Sequence, residues 1–99
     1  MRPIHLATLD EVRPVLVLTR EVARPVPTNV TVAPITSRIR GLAVEVPVDE
    51  LNGLDGPSVV SLDNVQTIPI ASLGKVIGIL HPHQEPALTE AILAAYDLE

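Results

Sequence analysis

Two apolar runs, Arg13-Pro-Val-Leu-Val-Leu-Thr19 and Val32-Ala-Pro-Ile-Thr36-Ser-Arg38, each carry polar groups at one end that packing does not require. Arg13 stands at the entrance to Val15–Leu18. Thr36, Ser37 and Arg38 stand at the exit from the Val30–Ala33 run. An arginine keeps its proton at neutral pH, so its task is to bind a phosphoryl oxygen or to stabilise charge that builds up in a transition state. A threonine hydroxyl both donates and accepts. Held together at strand ends, the two make a phosphate site. Arg13 precedes Pro14, which keeps its backbone extended and sets the direction of its side chain. Ser37, Arg38 and Arg40 offer further phosphate contacts. Taken singly, each of these residues also fits a plainer role: an arginine lying over a barrel end, a turn-capping hydroxyl, ordinary loop polarity.

Asp63, Asn64 and Gln66 lie in a stretch more polar than a sheet interior, where they could line a groove or simply bond within the turn that ends a strand. An unperturbed histidine titrates near neutral pH, which makes His5, His81 and His83 candidate bases. His81-Pro-His83 is better suited to a solvated turn before a helix, and no third metal ligand stands at a diagnostic spacing. No phosphate-binding glycine loop, dinucleotide fingerprint or nucleophile elbow occurs. The expectation is a site that uses no metal and no cofactor.

The elements that must position these residues are mostly strands. Apolar residues make up 46% of the chain without any Phe or Trp, so the core must be Val, Ile, Leu and Ala, which favours strands. Residues 4–9, 12–19, 29–35, 42–48, 58–63 and 75–80 read as strands. The second is nearly continuous in apolar character, as a strand buried on both faces should be. In 42–48 the valines Val44, Val46 and Val48 alternate with Glu45 and Pro47, which places a half-buried strand at an edge. Arg20–Pro27 reads as a loop or edge excursion, residues 52–57 as a turn cluster, residues 69–74 as a helical turn, and Gly78 as an interruption of the last strand. Glu85-Pro86 opens the one clear helix, with Leu88, Ile92, Ala95 and Tyr96 on one face. The fold class is mainly β, a small, strongly twisted barrel closed by a C-terminal helix, with residues 1–99 as one domain.

Charge is divided unevenly. The chain is −5 overall, but residues 1–40 hold six arginines against three carboxylates. That leaves +3 in this part and −8 in the remainder, and arginine is the cation suited to bidentate phosphate contact. No cysteine is present, so disulfides and thiolate metal sites are excluded. No apolar run approaches the roughly 20 residues of a membrane span, and no signal peptide is read at the start, so a cytoplasmic protein without a membrane partner is expected.

In order, these segments resemble the MazF/PemK family of bacterial toxins, sequence-specific endoribonucleases of toxin–antitoxin pairs. The matching runs are Ile4–Leu9, Arg13-Pro14-Val15-Leu16-Val17, Pro34-Ile35-Thr36-Ser37, Gly53-Leu54, Ser58-Val59 followed by Asp63, Asn64 and Gln66, and Leu73 through Ile77-Gly78 to Leu80. The resemblance covers nearly the whole chain. It implies an SH3-like barrel of the MazF/CcdB type, a homodimer, single-stranded RNA as substrate and a cognate antitoxin as partner. It aligns Arg13 and Thr36 with the family's catalytic residues and Ser37, Arg38, Asp63, Asn64 and Gln66 with its RNA contacts. The implied reaction is metal-independent: the RNA 2′-OH attacks the adjacent phosphate. Two departures stand out. The family's Arg-Gly-Asp opening is absent, and the long loop between the first two strands is cut to Asp10-Glu11-Val12. A more open groove, and a recognition sequence unlike that of longer members, should follow. The alternative within the fold, a non-catalytic toxin that poisons DNA gyrase, depends on a C-terminal tryptophan that this chain lacks. A plain SH3-like module needs an aromatic groove that a single Tyr cannot build.

Overall fold

Residues Val12–Val17 (β2) form a strand with no wet face past its first turn. In the computed structural model, which describes residues 2–19 and 28–98, Val15, Leu16 and Val17 are all fully buried. Side chains alternate along a strand, so β2 feeds two cores. Leu16 joins the larger one with Ile4, Ala33, Ile35, Val60 and Leu80. Val15 and Val17 join a smaller one with Ala7, Val30, Val32 and Ile68. Each fully buried Val or Leu contributes about 2 kcal/mol of hydrophobic stabilisation. The double burial expected from the continuous apolar run is therefore what the fold uses.

The remaining strands are β1 (Arg2–Thr8), β3 (Asn29–Thr36), β4 (Glu45–Val48), β5 (Ser58–Ser61), β6 (Gln66–Pro69) and β7 (Leu73–Leu80). They pair in the order β4-β5-β3-β2-β1-β7, and β6 also pairs with β3. Every described pairing is antiparallel. The sheet curls into a half-barrel, and among the described residues its end strands β4 and β7 do not pair with each other. The expected barrel is thus mainly β as read, but its sheet stays open. The helix α1 (Glu85–Ala95) packs Leu88 and Ala91 into the larger core, with Ile92 and Ala95 against them. Pro86 sits in its first turn as expected. Tyr96 does not complete the apolar face: the helix ends at Ala95, and Tyr96 is 57% exposed.

Two further strand expectations change. The sequence of β6 reads as turn and groove, because Gln66 and Thr67 break the apolar pattern; both are exposed while Ile68 is buried, so only one face of this short strand is dry. The last strand is not interrupted at Gly78. It runs from Leu73 to Leu80, and its pairing with β1 shifts from Ile4↔Gly78 to His5↔Val76, leaving Ile77 as the extra residue of a bulge. The Arg20–Pro27 excursion lies outside the described residues.

Gly78 is needed because another backbone crosses it. A Cβ there would stand 1.8 Å from the Asn52 carbonyl oxygen, and one on Gly53 would stand 2.0 Å from that of Ile77. The Glu50–Asn52 3-10 turn is fastened at the same crossing. Buried Asn52 donates from Nδ2 to the Ile79 carbonyl at 2.9 Å and to Gln84 Oε1 at 2.7 Å. Gln84 Oε1 also accepts from the His81 N–H at 2.9 Å, which ties this turn to the entry of α1.

The close crossing leads to a stability prediction. Gly78→Ala forces two backbones apart, and such overpacking costs about 3 kcal/mol. For a domain of this size that lowers Tm by roughly 12–24 °C. Gly56→Ala, where a Cβ meets nothing within 4 Å, should stay within about 0.5 kcal/mol of the parent. Thermal melts followed by circular dichroism compare the two.

Candidate functional site

Strand β3 is shared among three neighbours, and the site lies where two of them fail to meet. On one edge β3 pairs with β2, at Val15↔Pro34, Leu16↔Ala33 and Val17↔Val32. On the other, Asn29–Val32 pair with β6 and Ile35–Thr36 with β5. The 3-10 turn Leu62–Asn64 carries the chain from β5 to β6 and leaves Ala33 and Pro34 without a partner on that edge. Thr31 bonds towards β2, accepting from the Leu18 N–H and donating to Thr19 Oγ1. Alternation then turns the nitrogen of Pro34 towards the gap. A proline there has no N–H to leave unsatisfied.

Continuing the β2–β3 register two residues beyond Val15↔Pro34 sets Arg13 opposite Thr36. Both are on the face that carries Val15, Val17 and Val32, so they cap the open end of the smaller core. A depression of about 350 Å³ at that end is lined by Arg13, Pro34, Thr36, Arg38, Arg40, Glu45, Ser61 and Asn64. A second, of about 370 Å³, lies across Arg13 and Thr36 and is bounded by Ser37, Ile35 and the Leu54–Ser58 segment. A third, of about 330 Å³, holds Arg13 with Leu9, Asp10, Pro34, Asn64 and Gln66. Arg13 is common to all three, so it stands on the ridge between grooves of small-ligand size.

Local bonds set the chemistry of the pair. Arg13 is 38% exposed and held by the short β1–β2 connection: Nη2 lies 3.0 Å from Glu11 Oε1, and Nε lies 3.6 Å from Asp10 Oδ1. Ion pairs exposed to this degree contribute about 0–1 kcal/mol, so an arriving phosphate can displace the carboxylates. Thr36 Oγ1 accepts from the Arg38 N–H at 3.1 Å. That bond occupies one lone pair and leaves the hydroxyl proton to donate into the groove.

Six of the seven residues expected at the site, Arg13, Thr36, Ser37, Arg38, Asn64 and Gln66, border these adjoining depressions. Asp63 is exposed beside Asn64 but lines none of the three. Arg40 joins them; Arg2 instead bonds Glu85 and the Leu18 carbonyl, away from the groove. The histidines have other work. His5 lies 3.0 Å from the Gly74 carbonyl, and His81 Nε2 lies 2.8 Å from that of Leu51 and stacks on His83. Among the described residues, no group of three or more His, Asp or Glu could hold a metal ion.

Sequence reasoning missed Glu45, Asp10 and Glu11. Alternation with Val44 and Val46 put Glu45 on the wet side, yet its side chain is only 3% exposed. It accepts from the N–H groups of Arg40 and Leu42 at 3.2 and 3.1 Å and lies 3.6 Å from Arg40 Nε. Burial alone would push its carboxyl up. The Leu42, Arg40 and Gly41 amides and the Arg40 guanidinium outweigh that and hold it below the usual carboxylate range. Asp10 and Glu11 were legible only as what remained of a shortened loop; their closeness to Arg13 in sequence was the available signal.

Comparison with known proteins matches this geometry to a family. Residues 4–96 fit the family described as PemK-like, MazF-like toxin of type II toxin–antitoxin system. The chain is 68% identical over 99 residues to endoribonuclease MazF3 of Mycobacterium tuberculosis, covering all of this chain and 96% of that protein. The solved structure of Mycobacterium tuberculosis toxin MazF-mt6 superposes with a TM-score of 0.96 at 67% identity, covering 99% of each chain. An endoribonuclease in complex with its cognate antitoxin, from a mycobacterial species, shares the fold with a TM-score of 0.86 at 20% identity, over 98% of this chain and 93% of that one. The relatives named for an activity are endoribonucleases, and the gyrase alternative finds no support among them. Along nearly its whole length, the chain belongs to the PemK-like, MazF-like toxins of type II toxin–antitoxin systems.

Proposed function

We propose that residues 1–99 act as one toxin domain, an endoribonuclease that cleaves single-stranded RNA without a metal, as a homodimer in the cytoplasm, under the control of a cognate antitoxin. The observation that carries this reading is the juxtaposition of Arg13 and Thr36 across the β2–β3 seam, on the ridge between three grooves, in a chain 68% identical throughout to a named endoribonuclease. No helix among the described residues is long and apolar enough to cross a membrane.

In this reading the scissile phosphate sits on the Arg13 ridge. The guanidinium takes two non-bridging oxygens and stabilises the charge of the pentacoordinate transition state. The Thr36 hydroxyl, oriented by the Arg38 amide, donates to the same phosphate or to the 2′-OH. A carboxylate of Asp10 or Glu11, freed from Arg13 as the phosphate arrives, accepts the 2′-OH proton. The 2′-O–P bond forms as the P–O5′ bond breaks, and O5′ takes a proton from water, to which the carboxylate later returns the 2′-OH proton. The products are a 2′,3′-cyclic phosphate and a 5′-hydroxyl. Ser37, Arg38, Asn64 and Gln66 hold the flanking nucleotides, with Asp63 beside them. The short Leu9–Glu11 connection leaves the groove uncovered. An acidic, initially disordered antitoxin segment suits the same arginines.

Four outcomes are expected. Arg13→Ala should lower the cleavage rate roughly 10²–10³-fold, and Arg13→Lys should not restore it, because a point charge cannot replace the planar fork. Thr36→Val should stay folded, with only the loss of the bond to the Arg38 amide, and lose most cleavage. A gel assay on long RNA, with end-group analysis in EDTA, reads all three variants; a 3′-hydroxyl and 5′-phosphate product would sink the transesterification scheme. Light scattering should report a dimer at micromolar concentration, and a monomer would remove the dimer from the reading. Antitoxin and RNA should compete, with antitoxin binding weakened by salt; cleavage that persists in the antitoxin complex would contradict the shared groove.

A further inference from the structure

The loop between β3 and β4 is tied at both ends by side chains and carries two arginines of the groove. At its start, Thr36 Oγ1 holds the Arg38 amide. At its end, Glu45 holds the amides of Arg40 and Leu42 with one carboxylate oxygen, while its own N–H returns to the Leu42 carbonyl at 3.1 Å. Gly41 turns the chain between them at a φ of +72°, with nothing within 4 Å of where a Cβ would stand; glycine is there for its backbone angle, not for space.

A buried carboxylate is costly unless bonded, so its partners indicate what it is for. Among the described residues, every side-chain partner of Glu45 belongs to this loop, and none belongs to a strand or to the helix. Its second oxygen faces Arg40 Nε. A guanidinium has five N–H donors, and this contact uses only the Nε one. Among the described residues, the four on the Nη atoms remain, on a side chain 52% exposed along the same depression as Arg13 and Thr36.

We infer that Glu45 is a positioning residue for RNA: its carboxylate clamps the Arg38–Val44 loop so that the Nη groups of Arg40 meet an RNA phosphate beside the Arg13 ridge. The inference rests on the RNA reading above and deepens it by naming a phosphate contact and the group that aims it. The opposite expectation is also physical. A carboxylate beside an RNA groove repels phosphates, so if Glu45 acted by charge alone, removing it would tighten binding. The sign of the effect decides between clamp and repulsion.

The test measures binding of a random-sequence pool of 2′-fluoro RNA 20-mers, which offer no 2′-OH for cleavage, by filter retention across a salt series. Glu45→Gln keeps the shape and removes the charge. Glu45→Asp keeps the charge and shortens the arm by one methylene. Under the clamp, both variants should bind roughly three- to ten-fold more weakly, and the salt slope should fall by about 0.7, the value for one lost phosphate contact on a single strand. A partly unfolded sample lowers the active fraction and leaves that slope unchanged. In an Arg40→Gln background, Glu45→Asp should produce no further change in slope. In the free protein, the Arg40 and Leu42 amides of Glu45→Asp should exchange roughly ten-fold faster than in the parent. Equal or tighter RNA binding by Glu45→Asp, or an unchanged slope, overturns the clamp while the parent's binding keeps the RNA reading intact. If the parent itself retains no RNA, the RNA reading falls and takes this role with it. Should Glu45→Gln fail to fold, Glu45→Asp alone carries the decision.

Discussion

The pairing of β3 with three strands is the constraint on which the rest of this structure depends. A strand has two edges, and here one edge is given to β2 while the other is divided between β6 and β5. The division leaves a gap at Ala33 and Pro34. Proline at that place removes the donor that would otherwise be stranded, and the turn Leu62–Asn64 brings Asn64 to the rim. The same register sets Arg13 against Thr36. A slip of one residue would turn both to the opposite face and drive the valines behind them into the larger core. Packing of the smaller core and placement of the site are therefore one and the same requirement.

The electrostatics follow from that placement. The protein is acidic overall, yet Arg13, Arg38 and Arg40 gather along one depression. The carboxylates among them act locally. Asp10 and Glu11 hold the exposed Arg13 loosely, as groups that a phosphate can displace. Glu45 is buried and holds the loop tightly. Distance from water, more than charge, separates the two roles.

Much of this was legible in the residues. The continuous Val15–Val17 run announced double burial, and Pro47 announced an edge, where β4 indeed lies. Pro86 marked the start of the helix. The ends of two apolar runs drew attention to Arg13 and Thr36, because polar groups there had no packing reason. The pattern was misleading where tertiary contacts override alternation. Glu45 reads as solvent-facing by period two, and only the returning loop buries it. Strand β6 escaped notice because four residues with one dry face carry too little signal. Gly78 read as a break, whereas it accommodates the backbone at Asn52, a contact invisible in local sequence.

The central claim is that Arg13 and Thr36 act on a phosphate attacked by the neighbouring 2′-OH. The most direct measurement maps the cut position in a long RNA, then replaces the single ribose 5′ to that bond with 2′-deoxyribose and compares cleavage rates at that bond. The account predicts that cleavage there is lost while binding of the oligonucleotide persists. Cleavage at the unmodified rate would show that the 2′-OH is not the nucleophile, and would contradict the roles given to both residues.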